Sequence, residues 1–90
     1  MISYTTDQFW KTYRQLDDQT KKRARKAYQL FEADPNHPSL EFKNVHPTEP
    51  VYSARVTLSY RAVGIRDGNE IVWVWIGPHD EYERFIKNVR

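Results

Sequence analysis

The sequence predicts an α+β fold, with an N-terminal helix hairpin packed on a small antiparallel β-sheet and a C-terminal helix. Three observations predict it. Phe9, Tyr13 and Leu16 form one helical stripe, and Ala24, Ala27, Tyr28 and Phe31 form a second. Residues 52–76 are rich in β-branched and aromatic side chains, punctuated by Asp67-Gly68, a hairpin-turn pair. Tyr82, Phe85, Ile86 and Val89 then recur at i, i+3, i+4 and i+7, the core stripe of an amphipathic helix.

The elements follow in order. Ile2 to Thr5 reads as a short first strand. Thr5 and Gln8 have capping-box spacing, and Asp7 suits a first helical turn. Asp17 and Asp18 break the helix and restart it as an N-cap, which makes the two helices a hairpin. Pro35 ends the second helix, because the residue before proline is pushed out of the α region. Leu40 to Val45 alternates apolar and polar as a strand, with Lys43 on its polar side. A prolyl loop, residues 46–50, leads to a strand with Tyr52, Ala54 and Val56 on one face. Residues 52–66 are long for one strand, so a turn is expected near Thr57-Leu58-Ser59.

An Asp67-Gly68 loop of type I′, flanked by Arg66 and Asn69, sets a register in which Gly64 faces Ile71, Ala62 faces Trp73 and Tyr60 faces Trp75. The opposite face then carries Arg61, Val63, Ile65, Val72 and Val74. Ile71 to Ile76 is apolar on both faces, as a central strand is, and Trp73 and Trp75 read as core. Gly77-Pro78 stops it, with Pro78 at the first position of the last helix. The simplest topology is an antiparallel meander with the helices on one side.

Ninety residues make one domain, 1–90, with 14% aromatic residues to fill a small core. The absence of cysteine excludes disulfides and thiolate zinc sites. His37 and His46 lie in prolyl loops without a clustered carboxylate, so no metal is expected. No apolar run approaches the ~20 residues of a membrane span, and no signal-peptide pattern opens the chain; the expected compartment is the cytoplasm. No Gly-rich phosphate loop or Ser-His-Asp set is present. The formal charge is +2 with a pI near 9.0, and the positive charge is bunched at Lys21, Lys22, Arg23, Arg25 and Lys26. Such a run is either a solvated helix face or a contact for RNA or an acidic partner. Arg61, set among apolar neighbours on a sheet face, needs a partner or an anionic ligand. His79 lies three residues before Tyr82, on the same side, where strand meets helix.

The order of these pieces carries a resemblance. After the helix hairpin come Asp34-Pro35-Asn36-His37-Pro38-Ser39-Leu40, a lysine strand, Ser53-x-Arg55, Tyr60-Arg61, and an apolar strand running into His79-Asp80-x-Tyr82. Over nearly its whole length the chain resembles the RelE/ParE superfamily of toxin–antitoxin toxins, on the RelE-like ribonuclease side. The resemblance implies a RelE-like fold and a toxin that enters the ribosome and cuts mRNA without a metal or cofactor. It also implies a monomer when free, neutralised as a heteromer by a small antitoxin. Arg55 and Arg61 match the family's basic positions on the central strands, and Lys43 matches one on the preceding strand. His79 falls where active members place an arginine or histidine. Tyr82 departs from the pattern: some relatives carry a catalytic tyrosine where this chain has Phe85, and others carry it next to the histidine. One lysine, Lys43, stands where the best-known members have two.

Metal-free RNA cleavage needs the 2′-hydroxyl deprotonated, the phosphoryl charge stabilised and the leaving 5′-oxygen protonated. Arginine suits the second task by bidentate contact with phosphate, and histidine suits the third. The catalytic expectation is therefore Arg55, Arg61, His79, Tyr82 and Lys43, with Lys21, Lys22, Arg23, Arg25 and Lys26 contacting RNA. Structural roles compete with each: an ion pair for the arginines, local packing for His79, the core stripe for Tyr82. A catalytically silent or ParE-like relative acting by protein binding is the alternative, followed by a plain RNA-binding domain.

Overall fold

The computed structural model describes residues 1–88; Val89, the last position of the predicted stripe, lies outside the described residues. Five strands, β1 (Ile2–Thr5), β2 (Lys43–Asn44), β3 (Val51–Thr57), β4 (Tyr60–Asp67) and β5 (Glu70–Pro78), form one sheet in the order β1-β5-β4-β3-β2. The helices are α1 (Asp7–Tyr13), α2 (Asp18–Ala33) and α3 (His79–Lys87), with a 3₁₀ turn at Pro38–Leu40. Strands β2 to β5 form the expected antiparallel meander. The first strand differs: β1 lies parallel to β5, with Ile2 opposite Glu70 and Thr5 opposite Trp73. The long connection between them permits a parallel crossover.

The helices are not all on one side. Leu16, Ala24 and Phe31 of the N-terminal segment pack on one sheet face with Leu40, Ala54, Ala62, Ile71, Trp73 and Ile76. On the other face Val51, Val63 and Trp75 lie under Tyr82, Phe85 and Ile86 of α3. A central strand apolar on both faces needs a cover on each, and α3 supplies the second. Tyr28, expected on the core face of α2, is 41% exposed. The buried line of α2 runs through Thr20, Ala24 and Phe31 instead, with Leu30 half-buried.

Near its turn the β4–β5 hairpin pairs Asp67 with Glu70, so Gly68-Asn69 is the two-residue loop, one position later than expected. Gly68 has φ +58 and Asn69 has no positive φ, which is the pattern of a type II′ turn with glycine first. Gly64 therefore faces Trp73, not Ile71. Beyond Gly64 the register slips again. Val63 faces Trp75, Ala62 faces Ile76 and Tyr60 faces Pro78, leaving Val74 as an extra residue on β5. This β-bulge turns Trp75 to the face opposite Trp73. Both tryptophans are core, but in different layers; Trp75 stacks on Phe85 at 5.1 Å.

Local signals hold with small shifts. The N-cap of α1 is Thr6, not Thr5: its Oγ1 accepts from Phe9 N at 3.1 Å and donates to the Trp73 carbonyl at 3.2 Å. Thr5 stays in β1 and accepts from Trp10 Nε1. Asp17 caps α2, accepting from Thr20 N at 2.7 Å, and Leu58-Ser59 forms the β3–β4 turn. Pro78 is the N-cap of α3 and not its first residue. The predicted strand Leu40–Val45 shrinks to Lys43–Asn44, because Leu40 closes the 3₁₀ turn and Glu41 adopts a left-handed conformation, φ 44 and ψ 43. That kink lets buried Leu40 and Phe42 both join the core layer under α2.

Gly64 is needed at the start of the bulge. A Cβ there would lie 2.8 Å from the Ile71 side chain and 3.0 Å from Trp73 Cε3, both in the core. Gly64→Ala should lower unfolding stability by about 1–3 kcal/mol, the usual cost of overpacking. Urea unfolding checks this; an unchanged midpoint at unchanged slope would mean that the core yields there.

Candidate active site

Antiparallel pairing of β3 and β4 sets Arg55 directly opposite Arg61, on the face that α3 partly covers. Like charges directly opposite each other destabilise a sheet unless an anion joins them. Glu41 is that anion. Arg55 Nη1 donates to its Oε2, and Arg61 Nη2 lies 3.6 Å from its Oε1. The Arg55 hydrogen bond and charge hold the Glu41 carboxyl below the usual carboxylate range; the Arg61 and Lys43 charges act the same way, against the opposing effect of burial. Lys43 itself is exposed, two residues from Glu41 and opposite Ser53.

Arg61 is the least satisfied member of this group. Its side chain is 14% exposed, and its buried Nε and Nη1 have no hydrogen-bond partner. Leaving buried guanidinium donors unpaired is costly, so the arrangement is poised for a ligand with several acceptor oxygens. The Arg61 guanidinium lies 5.9 Å from the centre of the Tyr82 ring. On that ring His79 stacks at 5.6 Å between centroids.

The bulge in β5 brings His79 here. Its register shift puts Gly77 opposite Arg61 and Pro78 opposite Tyr60, so α3 starts beside the arginine pair. The His79 amide donates to the Ser59 carbonyl at 2.8 Å, fixing the helix start to the β3–β4 turn. His79 Nε2 lies 3.3 Å from Glu83 Oε1, while Nδ1 is buried without a partner. The structure thus gathers Arg55, Arg61, His79 and Tyr82 in one region, with Lys43 at its margin.

It does not bring the basic run of α2 there. α2 packs on the opposite sheet face, through Ala24 and Phe31. Lys22, Arg23, Arg25 and Lys26 are exposed, and Lys21 is half-buried. Arg25 donates to Tyr13 Oη at 2.9 Å and Lys21 lies 5.8 Å over the Tyr13 ring, so part of the run ties α2 to α1. Phe85 is taken up by packing on Trp75.

Glu41 is the site residue that sequence reasoning missed. It was legible as a polar strand position beside Lys43, but not as a partner of Arg55. Continuing the β2–β3 register from Lys43↔Ser53 by two residues sets Glu41 against Arg55. Nothing in the prolyl loop of residues 46–50 announces that register.

This is a small α+β protein of RelE-like fold with an arginine pair beside the start of its last helix. The family model of the ParE-like toxin domain matches residues 18–84, and the chain belongs to that family. Among solved structures it is similar to a chain of the RelB–RelE antitoxin–toxin complex from Methanococcus jannaschii. That match has a TM-score of 0.73 and 13% identity, covering 91% of this chain and 96% of that one. YafQ from E. coli strain BL21(DE3) matches with a TM-score of 0.72 and 10% identity, covering 89% and 94%. The YoeB/ParE toxin from Agrobacterium tumefaciens matches with a TM-score of 0.68 and 15% identity, covering 88% and 99%. At these identities the likeness is one of fold. No curated protein matches the chain in sequence. Among the described residues, no helix is long and apolar enough to cross a membrane.

Proposed function

We propose that this protein is the toxin of a type II toxin–antitoxin pair and a metal-independent endoribonuclease that cleaves ribosome-bound mRNA in the cytoplasm. The observation that carries this reading is the Arg61 guanidinium, buried with Nε and Nη1 unpartnered, against the same Tyr82 ring on which His79 stacks. A phosphodiester supplies the oxygens such a group lacks. In the reaction the 2′-hydroxyl gives up its proton to solvent as its oxygen bonds to phosphorus, and the bond to the 5′-oxygen breaks. Arg61 and Arg55 hold the phosphoryl oxygens as charge grows on them, with Lys43 adding positive field. His79 gives a proton to the leaving 5′-oxygen. Tyr82 orients both by its place between Arg61 and His79, and offers its ring face to a base. The α2 lysines and arginines contact RNA away from the scissile phosphate.

The partner is an antitoxin, and the free toxin is a monomer. Support comes from family membership and from the M. jannaschii neighbour, which is an antitoxin–toxin complex. A segment covering the arginine pair or the basic helix would silence the protein.

The test is induced expression of the chain alone, with mapping of new 5′ ends on cellular mRNA. Cuts within translated regions are expected, and co-expression of an adjacently encoded partner that copurifies with the chain should abolish them. Growth arrest with unaltered mRNA ends would instead support a ParE-like or catalytically silent protein acting by protein binding. The ParE-like family match and the loss of Phe85 to the core are what favour that second reading. If the chain causes no arrest and no partner copurifies with it, the toxin assignment fails altogether.

A further inference from the structure

We propose that Glu41 is a further site residue: a built-in carboxylate that occupies part of the anion site in the free protein and is displaced from the arginine pair when phosphate binds. This rests on the phosphate reading of that pair. Three observations carry it. The Glu41 carboxylate contacts both guanidinium groups, one through each oxygen. The two contacts are unequal: Arg55 is hydrogen-bonded, whereas the 3.6 Å approach to Arg61 is too long for a hydrogen bond. And Glu41 is held there by a left-handed backbone, φ 44, the one positive φ outside glycine among the described residues. That conformation is unfavourable for a residue with a Cβ. The fold therefore sets this carboxylate over the arginines at some conformational cost.

The consequence is a competition. Arg61 carries donors with no partner, and Arg55 spends its best one on Glu41. A phosphate entering at Arg61 meets the Glu41 charge beside it, and gains Arg55 only if Glu41 lets go. A carboxylate held below its usual pKa by two arginines is also a weak proton acceptor, so the arrangement suits a competing anion better than a general base.

The experiment is a titration of the full chain with inorganic phosphate at fixed ionic strength, followed by NMR. The readouts are the Arg61 Nε–H resonance and the Glu41 side-chain carboxyl carbon. In the wild type both signals should move along one binding curve. Glu41→Gln removes the charge, and Glu41→Gly also relieves the left-handed backbone. Each should tighten phosphate binding by about tenfold or more, the worth of one charge-assisted hydrogen bond. An Arg61 signal that shifts in the wild type while the Glu41 carboxyl stays still overturns the proposal, whether or not the variants fold. So does equal or weaker binding by folded variants, which would make Glu41 an organiser of the arginines. If phosphate leaves Arg61 Nε–H unmoved in every form, it is the phosphate reading that fails, and the inference falls with it.

Discussion

Arg61→Ala should relieve growth inhibition and cut RNA cleavage by about 10²–10³-fold, the range seen when one transition-state donor is removed. The size of the effect follows from its position. Arg61 is the more buried of the two arginines, and two of its nitrogens have no other partner. Loss of the side chain removes the donors aimed at the phosphoryl oxygens and leaves Arg55 still bound to Glu41. Arg61→Lys keeps a charge but loses the planar fork, so it should recover little. The fold should persist, since Val63 and Trp75, and not Arg61, form the apolar layer beneath α3. Circular dichroism and thermal unfolding of the variant separate the alternatives. A folded Arg61→Ala protein with full toxicity removes this face from the mechanism. A variant that does not fold means that the Arg55–Glu41–Arg61 cluster is structural.

Much of this architecture is legible in local patterns. Helix periodicity and the Asp17 cap mark α2, and the stripe Tyr82, Phe85, Ile86 marks α3. A guanidinium in a run of apolar strand residues marks Arg61 before any partner is known. What was hidden depends on how distant segments meet. The bulge at Val74 has no glycine or proline on its own strand to announce it; only Gly64 across the hairpin marks it, and Trp75 just beyond it packs against Phe85. With it moved the faces of Trp73 and Trp75, and the point at which α3 starts. The parallel pairing of β1 is likewise a matter of what covers the β5 edge. Glu41 was hidden for the same reason: its role comes from a β2–β3 register and one left-handed residue, neither of which a period-2 pattern reveals. The basic run on α2 shows the converse. It is conspicuous in the sequence, yet the fold sets it on the sheet face away from the arginine pair.

His79→Gln should slow cleavage by about 10²–10⁴-fold while leaving binding of ribosome and antitoxin nearly intact, the range for removal of a general acid–base group. The geometry around the ring supports an acid aimed by its surroundings. The backbone amide of His79 is anchored to Ser59, and its ring stacks on Tyr82. Glu83 lies 3.3 Å from Nε2, on the next turn of α3. A carboxylate at Nε2 fixes the orientation of the ring from that side. Glutamine retains polarity and approximate size but has no transferable proton. Glu83→Gln should reduce cleavage less, because it removes orientation without removing the acid. The measurement is single-turnover cleavage on programmed ribosomes, with binding followed in parallel. A His79→Gln protein that cuts at the wild-type rate would mean that the leaving oxygen takes its proton from Lys43, Tyr82 or water, and that the arginine pair works without the start of the last helix.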